Sequence, residues 1–257
     1  MLLATDALII SIGSILGYFF AGRTLKPIKI MVDEQNRFIS DASHELRTPL
    51  TALRSELEFM KMEYPLPEKV KDHITSTLEE VTNMQLLTDD LLLLSKNQYI
   101  RPNTVSEVSL LDVLETAIKK IVPLAREKKI TIDNQIKDVI LRINHQALSQ
   151  VFVILLDNAI KYSDINKKIT VTSTAASDSI TVNFIDEGIG ITEENRKHLF
   201  ERFYRGDKSR SKSSAAGYGL GLAIAKKIVD TYKGTIHVHS IIDKGSTFSV
   251  VLPLEHM

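Results

Sequence analysis

The chain shows three successive patterns of apolar and polar positions. Residues 7–22 form an uncharged and mostly apolar run. From residue 25 to residue 46, apolar or small residues recur at alternating steps of three and four. Beyond about residue 109, amphipathic helical stretches alternate with short runs typical of strands. The first pattern predicts a membrane helix, the second a coiled-coil helix and the third a mixed domain of helices and strands.

The uncharged run, ALIISIGSILGYFFAG, is short for a membrane helix, which needs about 20 apolar residues, unless the region of Asp6 is included. A secretory signal peptide is the competing interpretation. Such peptides carry basic residues before the run, whereas here Asp6 precedes it and Arg23, Lys26 and Lys29 follow it. Because basic residues favour the cytoplasmic side, we expect a single-pass anchor over residues 1–22 in the cell membrane, with the rest of the chain cytoplasmic.

The coiled-coil pattern predicts a continuous helix that leaves the membrane. Its seam consists of Leu25, Ile28, Val32, Gln35, Ile39, Ala42 and Leu46. With Leu25 at heptad position a, Leu46 is also at a and His44 is at f, which faces away from a partner helix. The pattern therefore predicts that the imidazole of His44 is exposed to solvent.

A second helix is predicted over residues 68–98, after the helix-breaking prolines of YPLPE. Two helices joined by a short turn form an antiparallel hairpin, which cannot bury its apolar stripe alone. Two such hairpins would bury it in a four-helix bundle, so we expect a homodimer.

The C-terminal part is predicted to be an α/β sandwich with helices over one face of a mixed sheet, so that the whole chain is of the α+β class. Predicted helices cover residues 110–128, 145–162 and a stretch that begins near residue 220. Predicted strands are ITIDNQI, VILRI, KITVTSTA, SITVNFID, GTIHVHSII and GSTFSVVLPL, with DKG as the last turn.

Charge and cysteine content narrow the possible functions. Lysine plus arginine and aspartate plus glutamate number 32 each, so bulk charge does not indicate a nucleic-acid partner, and we expect none. The chain has no cysteine, which excludes disulfides and thiolate chemistry.

Glycine clusters supply the first candidate chemistry. DEGIG (186–190) and GYGLG (217–221) hold five of the eleven glycines, and the second cluster directly precedes a helix-forming stretch. Glycines before a helix N-terminus leave N–H groups free to hold phosphate oxygens. The spacing fits neither a P-loop nor a dinucleotide-binding fingerprint, and a plain turn is the alternative for each cluster alone.

A helical stretch, LLDNAIKYS, adds three side chains on one face: Asn158, Lys161 and Tyr162. An amide oxygen suits Mg²⁺, a cation suits phosphate and an aromatic ring suits a base. An amphipathic helix with a mixed polar edge is the simpler alternative.

Together these motifs resemble the H, N, G1, F and G2 boxes of bacterial sensor histidine kinases. The matching segments are SHELRTPL, DNAIKYS, DEGIGI, FERFYR and GYGLGLAI, in the order and spacing of that family, and the likeness covers roughly residues 23–254. It implies autophosphorylation on histidine with ATP and Mg²⁺, transfer to an aspartate of a response-regulator receiver domain, and an ATP-binding domain of the histidine kinase type.

The resemblance also implies roles for individual residues. His44 would accept the phosphoryl group, Glu45 would fix its tautomer, and Thr48 would assist phosphatase activity unless it is an ordinary surface threonine. Asp186 would bind the adenine amino group, Asn158 would hold Mg²⁺, and Arg205 or Arg202 would contact the γ-phosphate. The other implied ATP contacts are Lys161, Tyr162, Gly188, Gly190, Gly217, Gly219, Gly221 and Thr247.

Two departures from the family pattern accompany the match. Ile154 stands where many relatives carry a second asparagine, and only 17 residues separate Pro27 from His44, too few for the usual relay module. The chain is therefore expected to be a fragment or a minimal sensor. Its predicted parts are the anchor (1–22), the dimerisation and histidine phosphotransfer domain (23–100), a linker (101–108) and the ATP-binding domain (109–257).

Two other functions are considered. A clamp-type chaperone or mismatch-repair ATPase shares the nucleotide fold but has no use for HELRTP. A membrane scaffold with an inactive nucleotide domain would not require Asn158, Asp186 and both glycine clusters.

Overall fold

The structure is a computed structural model that describes residues 2–95, 105–206 and 218–254. Over residues 2–33, the described side chains are those of Asp6, Arg23, Lys26, Pro27, Ile30, Met31 and Val32. The chain divides into two compact units, which we call the helical unit (Met1–Lys96) and the α/β unit (Asn97–Met257).

The helical unit contains two helices, α1 (Leu2–Glu63) and α2 (Glu68–Ser95), so the predicted hairpin is confirmed. Helix α1 continues through Pro27 and Pro49, although each proline removes one intrahelical hydrogen bond. The turn between the helices contains Pro67, whose carbonyl accepts the N–H of Val70 at 2.9 Å and starts α2.

The predicted membrane anchor is part of α1, but the side chains of residues 7–22 lie outside those that the structure describes. In the part of the chain that was described, no helix combines the length and the apolar character needed to cross a membrane.

Polar contacts join α1 to α2 along one side of α1. Arg47 forms an ion pair with Asp89, Arg54 bonds to Gln85 at 3.5 Å, and Lys61 Nζ donates to the Thr75 hydroxyl at 2.9 Å. The three α1 residues are seven apart and share heptad position b. Helix α2 therefore lies along the b side of α1.

The predicted seam is exposed in the single chain. Among the residues at heptad position a, Val32 is 48% exposed, Leu46 52%, Leu53 43% and Met60 38%, and Ile39 is half-buried. This stripe of position-a residues is not covered by α2.

The α/β unit contains a five-stranded mixed sheet and, in its described part, four helices. The strands are β1 (Ser106–Ser109), β2 (Thr131–Gln135), β3 (Ile140–Ile143), β4 (Lys168–Ala175), β5 (Ser179–Asp186), β6 (Thr235–Ile241) and β7 (Gly245–Pro253). The helices are α3 (Leu110–Glu127), α4 (His145–Tyr162), α5 (Glu193–His198) and α6 (Gly221–Thr231). The sheet order is β2-β4-β5-β7-β6, in which β2 and β4 are parallel and the other pairs antiparallel. Strands β1 and β3 form a separate antiparallel pair.

The core lies between α4 and one face of the sheet. Alternate residues of β5, Ile180, Val182 and Phe184, are buried, as expected for a strand with one covered face. The Phe184 ring lies 5.1 Å from that of Phe152 on α4. The predicted α/β sandwich with a mixed sheet is thus confirmed, and it sets the end of β5 beside the end of α4.

Candidate functional site

His44 lies on the exposed surface of α1, as the heptad register predicts. Glu45 and Thr48 are exposed as well. The preceding residue, Ser43, is 2% exposed, and its hydroxyl donates to the Ile39 carbonyl at 2.6 Å. The helix therefore buries a small polar residue and presents the imidazole to solvent.

The C-terminal end of α4 carries the three side chains predicted to share a face. Lys161 Nζ forms an ion pair with Asp157 at 2.5 Å, one turn back. Tyr162 is 46% exposed, and Asn158 is half-buried. Among the described residues, the Asn158 amide has no side-chain hydrogen bond. An amide oxygen in this state is a suitable Mg²⁺ ligand, because Mg²⁺ prefers oxygen and takes few protein ligands.

Asp186 ends β5 and is 6% exposed. Its Oδ1 accepts the main-chain N–H of Gly188 at 2.9 Å and that of Ser246 at 3.1 Å. Burial raises the pKa of this carboxyl above its ordinary value of 3.8, and the two N–H donors oppose the rise. Within the described residues both donors bind Oδ1, so Oδ2 is left for another donor.

The strand register shows where Thr247, which is predicted to support the adenine end, lies relative to Asp186. Asp186 pairs with Ser246 across β5 and β7, whereas Thr247 pairs with Ile185. Because side chains alternate between the two faces of a sheet, Thr247 lies on the face opposite to Asp186. The register thus places Ser246, and not Thr247, on the face of Asp186.

Two glycines allow the loop after β5 to approach its neighbours closely. A Cβ on Gly188 would lie 2.5 Å from the Tyr162 carbonyl oxygen. Gly190 has a φ of +71°, and a Cβ there would lie 2.2 Å from the Ile241 carbonyl oxygen. No other residue fits either position, so the glycine cluster fixes this loop against the ends of α4 and β6.

The remaining predicted contacts that the structure describes lie around the start of α6. Gly221 begins that helix and lies against Ile154, and Gly219 accepts the N–H of Phe203 at 3.0 Å. Arg202 is exposed and Arg205 half-buried. Burial and the nearby charge of Arg202 lower the pKa of Lys227 on α6. Gly217 lies outside the described residues.

No cluster of three or more histidine, aspartate or glutamate side chains suited to a metal occurs among the described residues. A cavity of about 390 Å³ is lined by Arg142, Tyr232, Lys233 and neighbouring residues, and none of the predicted site residues lines it.

Two family models match this chain. Residues 34–100 match the His Kinase A (phospho-acceptor) domain, and residues 143–256 match the histidine kinase-, DNA gyrase B- and HSP90-like ATPase. The chain belongs to the bacterial sensor histidine kinases.

Curated relatives of this histidine kinase agree with the family. The signal transduction histidine-protein kinase ArlS of Staphylococcus haemolyticus is 35% identical over 221 residues, which is 85% of this chain and 49% of ArlS. The sensor protein CiaH of Streptococcus pneumoniae is 36% identical over 242 residues, 92% of this chain and 53% of CiaH. The chain thus spans about half the length of these relatives.

Solved structures of other kinases share the fold. The Acinetobacter baumannii histidine kinase AdeS matches with a TM-score of 0.59 and 26% identity, over 83% of this chain and 98% of the solved AdeS chain. Full-length ShkA, solved in complex with AMPPNP, matches with a TM-score of 0.72 and 22% identity, over 84% of this chain and 45% of ShkA.

Sequence reasoning missed Ser246 in this histidine kinase, although GSTF contains it. The signal was the strand alternation: once Phe248 is assigned to the core, Ser246 must share its face and Thr247 must not. The structure bears this out, since Phe248 is 6% exposed.

Proposed function

We propose that this chain uses ATP to phosphorylate His44 and then transfers the phosphoryl group to an aspartate of a response-regulator receiver domain. The proposal rests on two features of the same chain. The segment that matches the phospho-acceptor domain has an exposed histidine, and the segment that matches the ATPase has the buried Asp186, whose two main-chain donors both bind Oδ1. The activity remains a proposal, because this chain spans about half the length of the curated relatives.

Asp186 is suited to select adenine. Its Oδ2 can accept a hydrogen bond from the adenine 6-amino group, while guanine presents an oxygen at that position and would face the carboxylate with a second acceptor. The exposed ring of Tyr162 is suited to pack on the base.

The phosphates and Mg²⁺ are assigned to the surrounding loops and helix ends. Asn158 would hold Mg²⁺, which neutralises charge on the phosphates when bound. Arg205 or Arg202 would contact the γ-phosphate. The remaining proposed contacts are Lys161, Gly188, Gly190, Gly217, Gly219 and Gly221, with Ser246 in place of Thr247 at the adenine end.

At His44, a neutral imidazole nitrogen would attack the γ-phosphorus. The new N–P bond forms as the bond between the γ-phosphorus and the β–γ bridging oxygen breaks, ADP leaves, and the imidazole loses its proton. Glu45 would accept a hydrogen bond from the other ring nitrogen and fix the reactive tautomer. Thr48, one turn on and also exposed, would position the water that hydrolyses the regulator's phospho-aspartate.

The exposed stripe of position-a residues supports a homodimer. Val32, Leu46, Leu53 and Met60 lie at multiples of seven residues from one another on α1 and stay exposed in the single chain. A second hairpin would cover them and complete a four-helix bundle.

The uncharged run over residues 7–22 is proposed as a single-pass membrane anchor, with Arg23, Lys26 and Lys29 on the cytoplasmic side. The division into anchor (1–22), phosphotransfer domain (23–100), linker (101–108) and ATP-binding domain (109–257) is likewise a proposal. The last three residues of the proposed linker, 106–108, belong to strand β1 (Ser106–Ser109).

Labelling with [γ-³²P]ATP and Mg²⁺ tests the function. We expect an acid-labile, alkali-stable phosphoprotein in the parent chain and none in His44→Gln. His73→Gln is the matched control, because His73 is also an exposed histidine of the helical unit, on α2, and it should label as the parent does. Equal labelling of His44→Gln would refute the assignment.

A further inference from the structure

The ammonium group of Lys128 lies on the C-terminal end of α4. Its Nζ donates to the main-chain carbonyls of Ile160 at 2.9 Å, Lys161 at 2.8 Å and Ser163 at 3.0 Å. The last carbonyls of a helix have no donor within the helix, and a cation at this end is also favoured by the helix dipole. Lys128 thus satisfies three acceptors that α4 leaves open.

Lys128 comes from a different helix, because it is the C-cap residue of α3. Its own main-chain carbonyl accepts the N–H of Asn166 at 3.0 Å, in the loop that follows α4. The C-cap residue of α4, Ser163, is buried, but its hydroxyl has no hydrogen-bond partner within the described residues. The α4 end is therefore capped by Lys128 and not by its own C-cap side chain.

The remaining carbonyl at this end, that of Tyr162, is bonded from the other side. It accepts the N–H of Ile189 at 3.2 Å, in the loop after β5. The same oxygen is the atom that a Cβ on Gly188 would meet at 2.5 Å. The end of α4 is held between Lys128 and the loop that Asp186 begins.

The proposed nucleotide contacts on α4 lie in its last two turns. Asn158, Lys161 and Tyr162 all depend on where this helix end is placed. Removing the ammonium would leave three carbonyls unpaired in a half-buried position, which favours fraying or a shift of the last turn. Either change would alter the distance between Asn158 and Asp186.

We propose that Lys128 is a positioning residue for ATP: it holds the end of α4 against the 187–190 loop without itself touching the nucleotide. The inference rests on the proposed function, because it deepens the assignment of that pocket. It predicts that Lys128 acts on nucleotide affinity through the bond between Ile189 and Tyr162.

The test compares Lys128→Met with Lys120→Met and Lys128→Arg in the full chain in detergent micelles. Lys120 is an exposed lysine of α3, so its substitution makes the same change in charge while the donor to the α4 carbonyls is kept. The measurements are the Kd of a fluorescent ATP analogue and the rate of amide hydrogen exchange at Ile189. We expect both the Kd and the exchange rate at Ile189 to rise about tenfold in Lys128→Met, because the hydrogen bonds from a charged donor to the α4 carbonyls are lost.

Exchange in the middle of β5 and β7 should stay at the parent rate. Lys128→Arg keeps a cation with several donors and should return the Kd to within about threefold of the parent. A Kd and an Ile189 exchange rate equal to those of Lys120→Met would overturn the proposal. Faster exchange throughout β5 and β7 in Lys128→Met, with no return of the Kd in Lys128→Arg, would also overturn the proposal. That result would mean that Lys128 only stabilises the fold.

Failure of the proposed function gives a different result. In that case the parent chain itself would not bind the ATP analogue. The exchange rate at Ile189 would still report whether Lys128 holds the end of α4.

Discussion

The carboxylate of Asp186 is buried and receives both of its main-chain donors on one oxygen. The N–H groups of Gly188 and Ser246 orient it, while burial makes its charge unfavourable and raises its pKa. A buried charge of this kind does not improve stability. Its presence is better explained by a ligand that donates to Oδ2.

Asp186→Asn should therefore weaken ATP binding without lowering the stability of the fold. The asparagine Oδ1 can still accept both N–H groups, but its amide would face the adenine amino group with a donor. We expect the Kd for ATP to rise by about 30- to 150-fold, corresponding to about 2–3 kcal/mol, while the melting temperature at pH 7 stays equal or rises. Calorimetric titration and thermal unfolding measure the two effects.

Thr247→Val is the matched control, because its side chain lies on the opposite face of the sheet and should leave the Kd unchanged. A variant Asp186→Asn that binds ATP like the parent would contradict the adenine assignment.

The raised pKa of Asp186 also determines whether its contribution to stability rises or falls with pH. Between the ordinary value of 3.8 and the raised value, the folded chain binds more protons than the unfolded chain. The contribution of Asp186 to the free energy of unfolding is thus most favourable below pH 3.8 and is lost as pH rises through the raised pKa. Urea unfolding across this window should show that loss in the parent chain and not in Asp186→Asn.

At the scale of elements, the hydrophobic pattern predicted every long helix and strand of the α/β unit. Residues 145–162, 168–175 and 179–186 have the bounds observed for α4, β4 and β5. Two short elements were missed. Strand β1 buries only Val108 and forms by pairing with β3, and α5 has six residues and buries none of them, so neither has a periodic signal of its own.

The heptad pattern correctly predicted an exposed His44, but it did not predict which side of α1 meets α2. On that side lie polar pairs such as Arg47–Asp89 and Lys61–Thr75, which join residues far apart in sequence. The spacing of apolar residues along the sequence contains no information on such pairs. The position-a residues stay exposed in the single chain, which is what the proposed dimer requires.

Leu53→Glu tests whether a second copy of the chain covers the position-a residues. Glutamate keeps the helix propensity of leucine, so the change places a charge at position a without breaking α1. We expect the dimer to weaken by about 2 kcal/mol or more, seen as a shift toward monomer in sedimentation equilibrium. Met62→Glu is the control: Met62 is 87% exposed at heptad position c and should leave the dimer intact. An unchanged dimer in Leu53→Glu would rule out this stripe as the interface.

At the scale of the whole molecule, the proposed reaction uses groups from both units. The helical unit has the exposed imidazole of His44, and the α/β unit has the residues that we propose to bind the nucleotide. The sequence motifs were sufficient to propose both sets of residues, because each motif is short and local. The pairing of Ser246 with Asp186 could not be assigned in this way, since it depends on the register between β5 and β7.

Membrane attachment is tested with the full chain. Ile10→Arg together with Ile15→Arg places two charges in the uncharged run, each costing about 2.5–3.5 kcal/mol at the centre of a bilayer. We expect the chain to move from the membrane fraction to the soluble fraction on ultracentrifugation of lysed cells. Ile30→Arg, on α1 but beyond the run, should stay in the membrane fraction. Retention of the double variant in membranes would exclude this run as the anchor.

The unbroken course of α1 has a mechanical consequence. With 62 residues and a rise of about 1.5 Å per residue, it is a rod of about 93 Å. Its two prolines, Pro27 and Pro49, are the points at which it can bend, whereas the 21 residues between them include neither proline nor glycine. A small rotation of the helix just after Pro27 would therefore turn His44 by a comparable angle and change the direction from which an incoming phosphoryl group can reach it.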